Sequence, residues 1–119
     1  MQIQINTDHN IKGHEALAAQ VRGVVESALS HLSDHITRVE VHLSDESSHK
    51  TSQNDKRCMM EARLEGRQPI AVTDEEATVA QAVDGAAGKL ARLIESTLGR
   101  QRVERSHRTD PPPPGSASN

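Results

Sequence analysis

Six cations in one short reach of chain carry the most suggestive chemistry of this sequence. Lys89 and Arg92 stand three apart, and Arg100, Arg102, Arg105 and Arg108 follow them. Residues three apart on a helix share a face. Arg suits a bidentate contact with a phosphate, and Lys a point contact. Gly85 and Gly88 come just before them, and without side chains there a nucleic-acid backbone could approach the helix. Such contacts fix position and carry little sequence information, so the inventory fits a folded RNA recognised by shape. Two plainer readings stand beside this one. The cations could be a solvated face, and the glycines could serve close packing of the helix against its neighbours.

The overall charge gives a different impression. The chain has 119 residues and a formal net charge of -3. Residues 1–84 hold 8 basic and 14 acidic side chains, whereas 85–108 hold 6 basic and 2 acidic. That asymmetry permits a local anion-binding surface on an acidic protein. It argues against indiscriminate nucleic-acid binding, which grows with the number of phosphate contacts. There is no Phe, Trp or Tyr, so base stacking is excluded as a binding mode. The core must be built from aliphatic side chains and Met.

Other chemistries find less support. Seven histidines invite a metal site. However, Ser33-Asp34 should break the helix between His31 and His35, and His42 and Cys58 should lie on opposite sheet faces. No zinc-type spacing of cysteines occurs, so no metal and no cofactor is expected. Acid-base pairs could be assembled from Asp45-Glu46, Asp74-Glu75-Glu76 and the histidines. No Gly-rich phosphate loop or nucleophile motif accompanies them, and an enzyme is not expected. The single Cys58 cannot form an internal disulfide and reads as a small buried side chain in a reducing compartment. The alternating start of the chain does not read as a signal peptide, and no stretch is long and apolar enough to span a bilayer. The expected location is cytoplasmic.

The elements that would hold the cations follow from periodicity. Ile3 and Ile5 alternate with Gln2 and Gln4, which predicts a half-buried strand. A helix is expected from His14 to Ser33, with Leu17, Val21, Val24, Val25, Ala28, Leu29 and Leu32 inward and Arg22 on its polar face. Arg38 to Leu43 and Lys56 to Leu64 alternate again, joined by a polar loop over Asp45 to Asp55. A fourth strand starts at Pro69, with Ile70 and Val72 facing the core. Thr73 or Asp74 is then expected to cap a second helix, with Glu75 and Glu76 in its first turn. Its apolar stripe is Val79, Val83, Ala86, Leu90, Leu93 and Ile94, and Gly99 ends it. The domain is expected over 1–103. Residues 104–119 read as a basic and then Pro/Ser-rich disordered tail.

This order, β-α-β-β-β-α, predicts an α+β two-layer sandwich. Strands one and two are parallel, strands two to four form an antiparallel meander, and both helices cover one face of the mixed sheet. The other face shows Gln2, Gln4, Arg38, Glu40, His42, Arg57, Met59, Glu61 and Arg63, a surface of mixed sign.

The chain resembles the ribosome hibernation-promoting factor family, also called ribosome-associated inhibitor A or sigma-54 modulation proteins, in its short form. Gln81-Ala82-Val83-Asp84 through Gly88-Lys89-Leu90-Ala91-Arg92 matches the family's A-[IV]-D and K-L-x-R pattern in the last helix. The opening MQIQINTDHNIKGHEAL resembles the family's first strand and helix start. Asp55 to Arg63, DKRCMMEAR, is similar to a subgroup of ribosome-associated relatives. The resemblance covers about residues 1–103. It implies a double-stranded-RNA-binding-like fold on the small ribosomal subunit, in the channel used by messenger and transfer RNA, where the family blocks initiation and favours dormant ribosomes under stress.

Carried onto this chain, the helix motif makes Lys89 and Arg92 the first RNA contacts. The subgroup motif adds Lys56, Arg57 and Arg63. Arg100 and Arg102 join them at the basic helix end, and Arg22 from the first helix. The expected partner is the small subunit and its 16S ribosomal RNA, with no membrane or small-molecule substrate, and the chain is expected to be a monomer or weak homodimer. The chain departs from the family at Ala80, where Tyr is usual, and in the few cations of its first helix. Those departures, with the acidic first 84 residues, motivate an alternative: a protein-interaction module of the same fold that has lost RNA binding.

Overall fold

A computed structural model of the chain describes residues 1–8, 11, 14–46 and 54–109, with side chains for all of these except 14 and 100–109. The first strand, β1, is Gln2–Thr7, and the first helix, α1, is His14–Leu29. A 3-10 helix, Ser30–His35, continues from α1. Strands β2 (Ile36–Asp45), β3 (Lys56–Leu64) and β4 (Ile70–Glu76) follow, and the last helix, α2, is Val79–Thr109. The sheet order is β1-β2-β3-β4. β1 and β2 are parallel, and the other two pairings are antiparallel. α2 packs on β3 and β4, and α1 packs on β1 and α2. The two-layer α+β sandwich expected from the sequence is the fold observed.

The alternation of side chains explains where the core sits. Val39, Val41 and Leu43 of β2 and Cys58, Met60, Ala62 and Leu64 of β3 are all buried. They meet Val21, Val25 and Leu29 of α1 and Ala82, Val83, Ala86, Ala87, Leu90, Ile94 and Leu98 of α2. Small residues on α2 let it lie close to the sheet, which suits a core without aromatic rings. Ile36 is also buried, yet it stands three residues from Val39, out of step with a period of two. The ladder to β3 shifts register between Ile36 and Arg38. This bulge returns Ile36 to the core side. Thr37 Oγ1 donates to the carbonyl of Arg63 at 3.0 Å across the same place.

Several expected boundaries move. The last turn of the first helix, expected to Ser33, is 3-10 from Ser30. The strand expected to give way to a helix cap at Thr73 or Asp74 runs on to Glu76, because β4 pairs with β3 as far as Lys56↔Glu76. The cap is Thr78 instead: its Oγ1 accepts from the N–H of Gln81 at 3.1 Å, which satisfies one of the free donors of the first turn. Leu93, placed in the apolar stripe, is 39% exposed. Gly99 does not end α2, whose backbone continues to Thr109. The tail expected over 104–119 therefore starts inside this helix, and 110–119 lie outside the described residues. The polar loop expected between β2 and β3 lies mostly outside them as well. Its base is closed by Glu46 N–H donating to the carbonyl of Asp55 at 2.8 Å.

Candidate nucleic-acid interface

The eight expected contact residues do not gather on one face. Register puts Arg57 and Arg63 on the open side of β3, six residues apart, or about 20 Å along the strand. Lys56 falls on the opposite alternation, the one shared with Cys58 and Met60. Arg22 is an exposed residue of α1, and Lys89 and Arg92 are exposed residues of α2. Arg100 and Arg102 lie on the α2 backbone beyond the last described side chain.

Four of these cations are held by carboxylates. Lys56 Nζ lies 2.6 Å from Asp55 Oδ1 and 3.4 Å from Asp45 Oδ1. The hydrogen bond to Asp55 leads in raising its pKa above the ordinary 10.5, against a smaller opposing effect of burial. Arg57 meets Glu46 at 3.8 Å, and Arg63 meets Glu61 at 3.9 Å. Lys89 Nζ donates to Asp74 Oδ1 at 2.8 Å and to the carbonyl of Thr73 at 3.0 Å. Arg38, on the open face, meets Glu40 at 3.6 Å and donates to the amide oxygen of Gln4. Among the described side chains, Arg22, Arg67 and Arg92 make no such pair.

Asp74, expected from the sequence as a helix cap, instead has a structural role that sequence reasoning missed. It stands on the core side of β4 and is 8% exposed, the one buried charged side chain among the described residues. Its Oδ1 faces Lys89, and its Oδ2 is buried without a hydrogen-bond partner. A Cβ at Gly85 would stand 1.9 Å from that Oδ2. Gly85 is thus the space that admits the Asp74 carboxylate under α2, and it does not open the helix to an RNA backbone. The Asp74 carboxyl has two further effects. Hydrogen bonding to it, above all, raises the pKa of Glu76. Its charge adds to burial in pushing the Cys58 thiol up to about 12. Gly88 differs, because Arg92 lies nearest to it, with Nη1 3.4 Å from where a Cβ would be.

Register then sorts the charges along the sheet. Asp45↔Lys56↔Glu76 and Ser44↔Arg57↔Glu75 are adjacent rows, and Cys58↔Asp74 is the next. With Glu46 and Asp55, the hairpin end holds Asp45, Asp74, Glu75 and Glu76 against Lys56, Arg57 and Lys89. That end is acidic. α2 starts beside it and runs back along the sheet, so its cation-bearing C-terminal part lies past the opposite end, where β3 turns into β4. Among the described side chains there is no single positive patch: carboxylates gather at the hairpin end, and the α2 backbone carries the Arg100 to Arg108 segment beyond the other end.

The histidines take other roles. His31 Nε2 meets Glu95 Oε2 at 2.6 Å, tying the 3-10 helix to α2. His42 is exposed and Cys58 is fully buried, on opposite sides of the sheet. Among the described residues, no three His, Cys, Asp or Glu side chains come together as a metal site. No helix among them is long and apolar enough to cross a membrane.

Comparison with known proteins gives a consistent relationship. The family model described as sigma 54 modulation protein / S30EA ribosomal protein matches residues 4–102. The fold is similar to that of the Thermus thermophilus Protein Y N-terminal domain, with 23% identity and a TM-score of 0.60 over 82% of this chain and 99% of that one. It is similar also to a ribosomal subunit interface protein from Coxiella burnetii, with 19% identity and a TM-score of 0.62 over 83% and 99% of the two chains. No curated protein matches the chain.

Proposed function

The chain belongs to the sigma 54 modulation protein / S30EA ribosomal protein family, and from that premise we propose that it is a cytoplasmic ribosome-associated translation inhibitor. In this reading it binds small-subunit ribosomal RNA in the decoding channel and favours dormant ribosomes under stress. The observation that carries the reading is the polarity of α2. From Gly85 to Arg108 the helix holds six cations and two carboxylates, and it directs their C-terminal members away from the acidic end of the sheet. A phosphate backbone is attracted to one end of the protein and repelled by the other, which orients the molecule as it docks.

The contact residues then rank by their freedom. Arg92 and Arg22, unpaired on the helix layer, and Arg100 and Arg102, on the basic end of α2, come first. Lys89 acts mainly as the partner of Asp74. Lys56, Arg57 and Arg63 reach a phosphate only in competition with Asp55, Asp45, Glu46 and Glu61.

Co-sedimentation with purified small subunits across a salt series tests the proposal. Binding should fall as salt rises, as counterion release requires. It should weaken when Arg92, Arg100 and Arg102 become Glu, and it should compete with messenger RNA and transfer RNA. No binding at any salt would refute the ribosomal reading. The carboxylate pairing of the β3 cations favours a second reading, a protein-binding module of the same fold. Cross-linking in extract that yields protein adducts without ribosomal RNA would select it.

A further inference from the structure

The geometry points to a phosphate-binding site at the turn between β3 and β4, built on Arg67, that extends the basic end of α2. Its natural ligand, a phosphate group of folded RNA, rests on the ribosomal reading above. Its chemistry rests on the turn.

Gly66, Arg67, Gln68, Pro69 and Ile70 line one side of an open pocket, and Thr97 of α2 lines the other. No carboxylate is among these lining residues. The Arg67 guanidinium has a buried Nη2 with no hydrogen-bond acceptor. A buried donor without an acceptor is costly, and more so when it is charged. Nη2 itself is closed to solvent, so an anion in the open pocket would meet the rest of the guanidinium, which no carboxylate among the described residues holds. Five of the other described cations already have a carboxylate. Arg22 and Arg92 have none but are exposed to water. Arg67 alone among the described cations combines a missing partner, a half-buried head and a pocket beside it.

The turn is also fixed in shape. Gly66 takes a φ of +70°, which side chains rarely allow. The Arg67 N–H donates to the carbonyl of Leu64 at 3.3 Å. Pro69 restrains the next step, and Ile70 enters the ladder opposite Ala62. Little ordering is left to be done when an anion arrives, which favours binding. Thr97 commits its hydroxyl to the Leu93 carbonyl at 2.9 Å, so the donors are the Arg67 guanidinium and the Gln68 amide. Arg100 follows Thr97 by three residues on the same continuous helix, about 4.5 Å along its axis. A phosphate on Arg67 therefore lies next to the start of the cation run, and one RNA backbone can pass from the turn to the helix.

Two measurements on the full chain test this. The first follows the Arg67 Nε–H and the Arg67 and Gln68 backbone amides by NMR during titration with inorganic phosphate, and then with a short RNA duplex. Saturable shifts at these positions, lost in Arg67→Gln, are expected with both ligands. A response to phosphate alone would make this a free-phosphate site and overturn the RNA assignment. No response to either would overturn the site. The second is small-subunit co-sedimentation across salt. Arg67→Gln should weaken binding several-fold and lower the slope of log affinity against log salt by about one, as for one lost phosphate contact. Unchanged affinity and slope would overturn the proposal while leaving the ribosomal reading intact. If the parent chain bound no subunits, that reading would fail, and the phosphate titration alone would decide the site. Arg67→Lys, which keeps the charge but not the fork of donors, guards against a folding defect. It should fold and still lose most of the Gln68 shift.

Discussion

Replacing Gly85 with Ala should destabilise the protein, although helix propensity predicts the reverse. Gly85 is interior to α2, where Gly to Ala ordinarily gains about 0.8–1.0 kcal/mol. Here the new methyl would stand 1.9 Å from Asp74 Oδ2 and 2.7 Å from its Cγ. Ordinary contact between such atoms is near 3.5 Å, so the carboxylate or the helix must retreat by about 1.5 Å. Asp74 is 8% exposed and held at 2.8 Å by Lys89. A retreat of that size breaks the pair or lifts α2 from β4. Overpacking a filled core costs about 1–3 kcal/mol. The pair adds only about 1 kcal/mol, well below a fully buried one, because Lys89 is 45% exposed. Against the propensity gain, the net loss is about 1–3 kcal/mol, which lowers the melting temperature by on the order of 10 °C.

Urea unfolding followed by circular dichroism measures this directly. Gly23→Ala is the control, since a Cβ at Gly23 meets nothing within 4 Å. It should stabilise by about 0.5–1 kcal/mol. In an Asp74→Ala background the clash is absent, so Gly85→Ala should change sign and stabilise too. That reversal separates a specific contact from a general intolerance of the site. If Gly85→Ala stabilised the parent chain as Gly23→Ala does, the packing argument for Asp74 would be refuted.

Three further outcomes follow from the charges and the core. Glu76 should titrate above its ordinary 4.5, because the Asp74 carboxyl leads in raising it. The folded state then holds that proton more tightly than the unfolded chain. Its stabilising effect is complete below about pH 4.5 and lost as pH rises through the folded value. Carbon NMR of the Glu76 carboxyl should move back toward 4.5 in Asp74→Asn, and an unmoved titration would count against the pairing. Cys58, with its thiol pushed up to about 12, should resist alkylation at pH 8 by roughly 100-fold or more relative to the urea-unfolded chain. Equal rates would mean that the core opens freely. Finally, Lys56→Glu with Arg57→Glu should leave small-subunit affinity within about twofold, whereas Arg100→Glu with Arg102→Glu should lower it roughly tenfold or more. The opposite ranking would move the contact surface to the hairpin end.

The sheet and its layers were legible because the chemistry is local. Ile3 and Ile5, Val39 to Leu43 and Cys58 to Leu64 alternate with polar residues, and a period of two has one physical meaning. β2 looked shorter than it is because the bulge after Ile36 breaks that period. The start of α2 was misread for a different reason. Thr73-Asp74-Glu75-Glu76 has the composition of a helix cap and first turn, but the β3 ladder extends over it. Thr78 then does the capping. The competing interaction lies far along the chain and leaves no local mark. The same holds for the site. The sequence displays Lys89 next to Gly85 and Gly88, which invites an RNA contact. That its partner is Asp74, fifteen residues earlier and on another element, becomes visible only when β4 and α2 pack together.

A net charge of -3 and an affinity for RNA are compatible on this fold for a geometric reason. Screening limits the reach of a charge to about 8 Å at physiological salt, so an approaching phosphate senses a local neighbourhood and not the total. At the hairpin end, Lys56, Arg57 and Lys89 sit among Asp45, Glu46, Asp55 and Asp74, and a phosphate there would have to displace carboxylates from their cations. At the far end, Arg67 stands in the turn beside Thr97, with Glu65 two residues before it, and the α2 backbone runs on through Arg100 to Arg108, with Glu104 the one acidic residue of the sequence in that stretch. In the proposed ribosomal reading, the same carboxylates that make the protein acidic restrict RNA contact to the end away from the hairpin. On that reading, binding is weaker to bare duplex and stronger where an RNA surface can meet the Arg67 turn and the end of α2 while leaving the acidic hairpin end in solvent. A channel or cleft in folded RNA offers that geometry more fully than a uniform duplex, whose phosphates reach only the Arg67 turn.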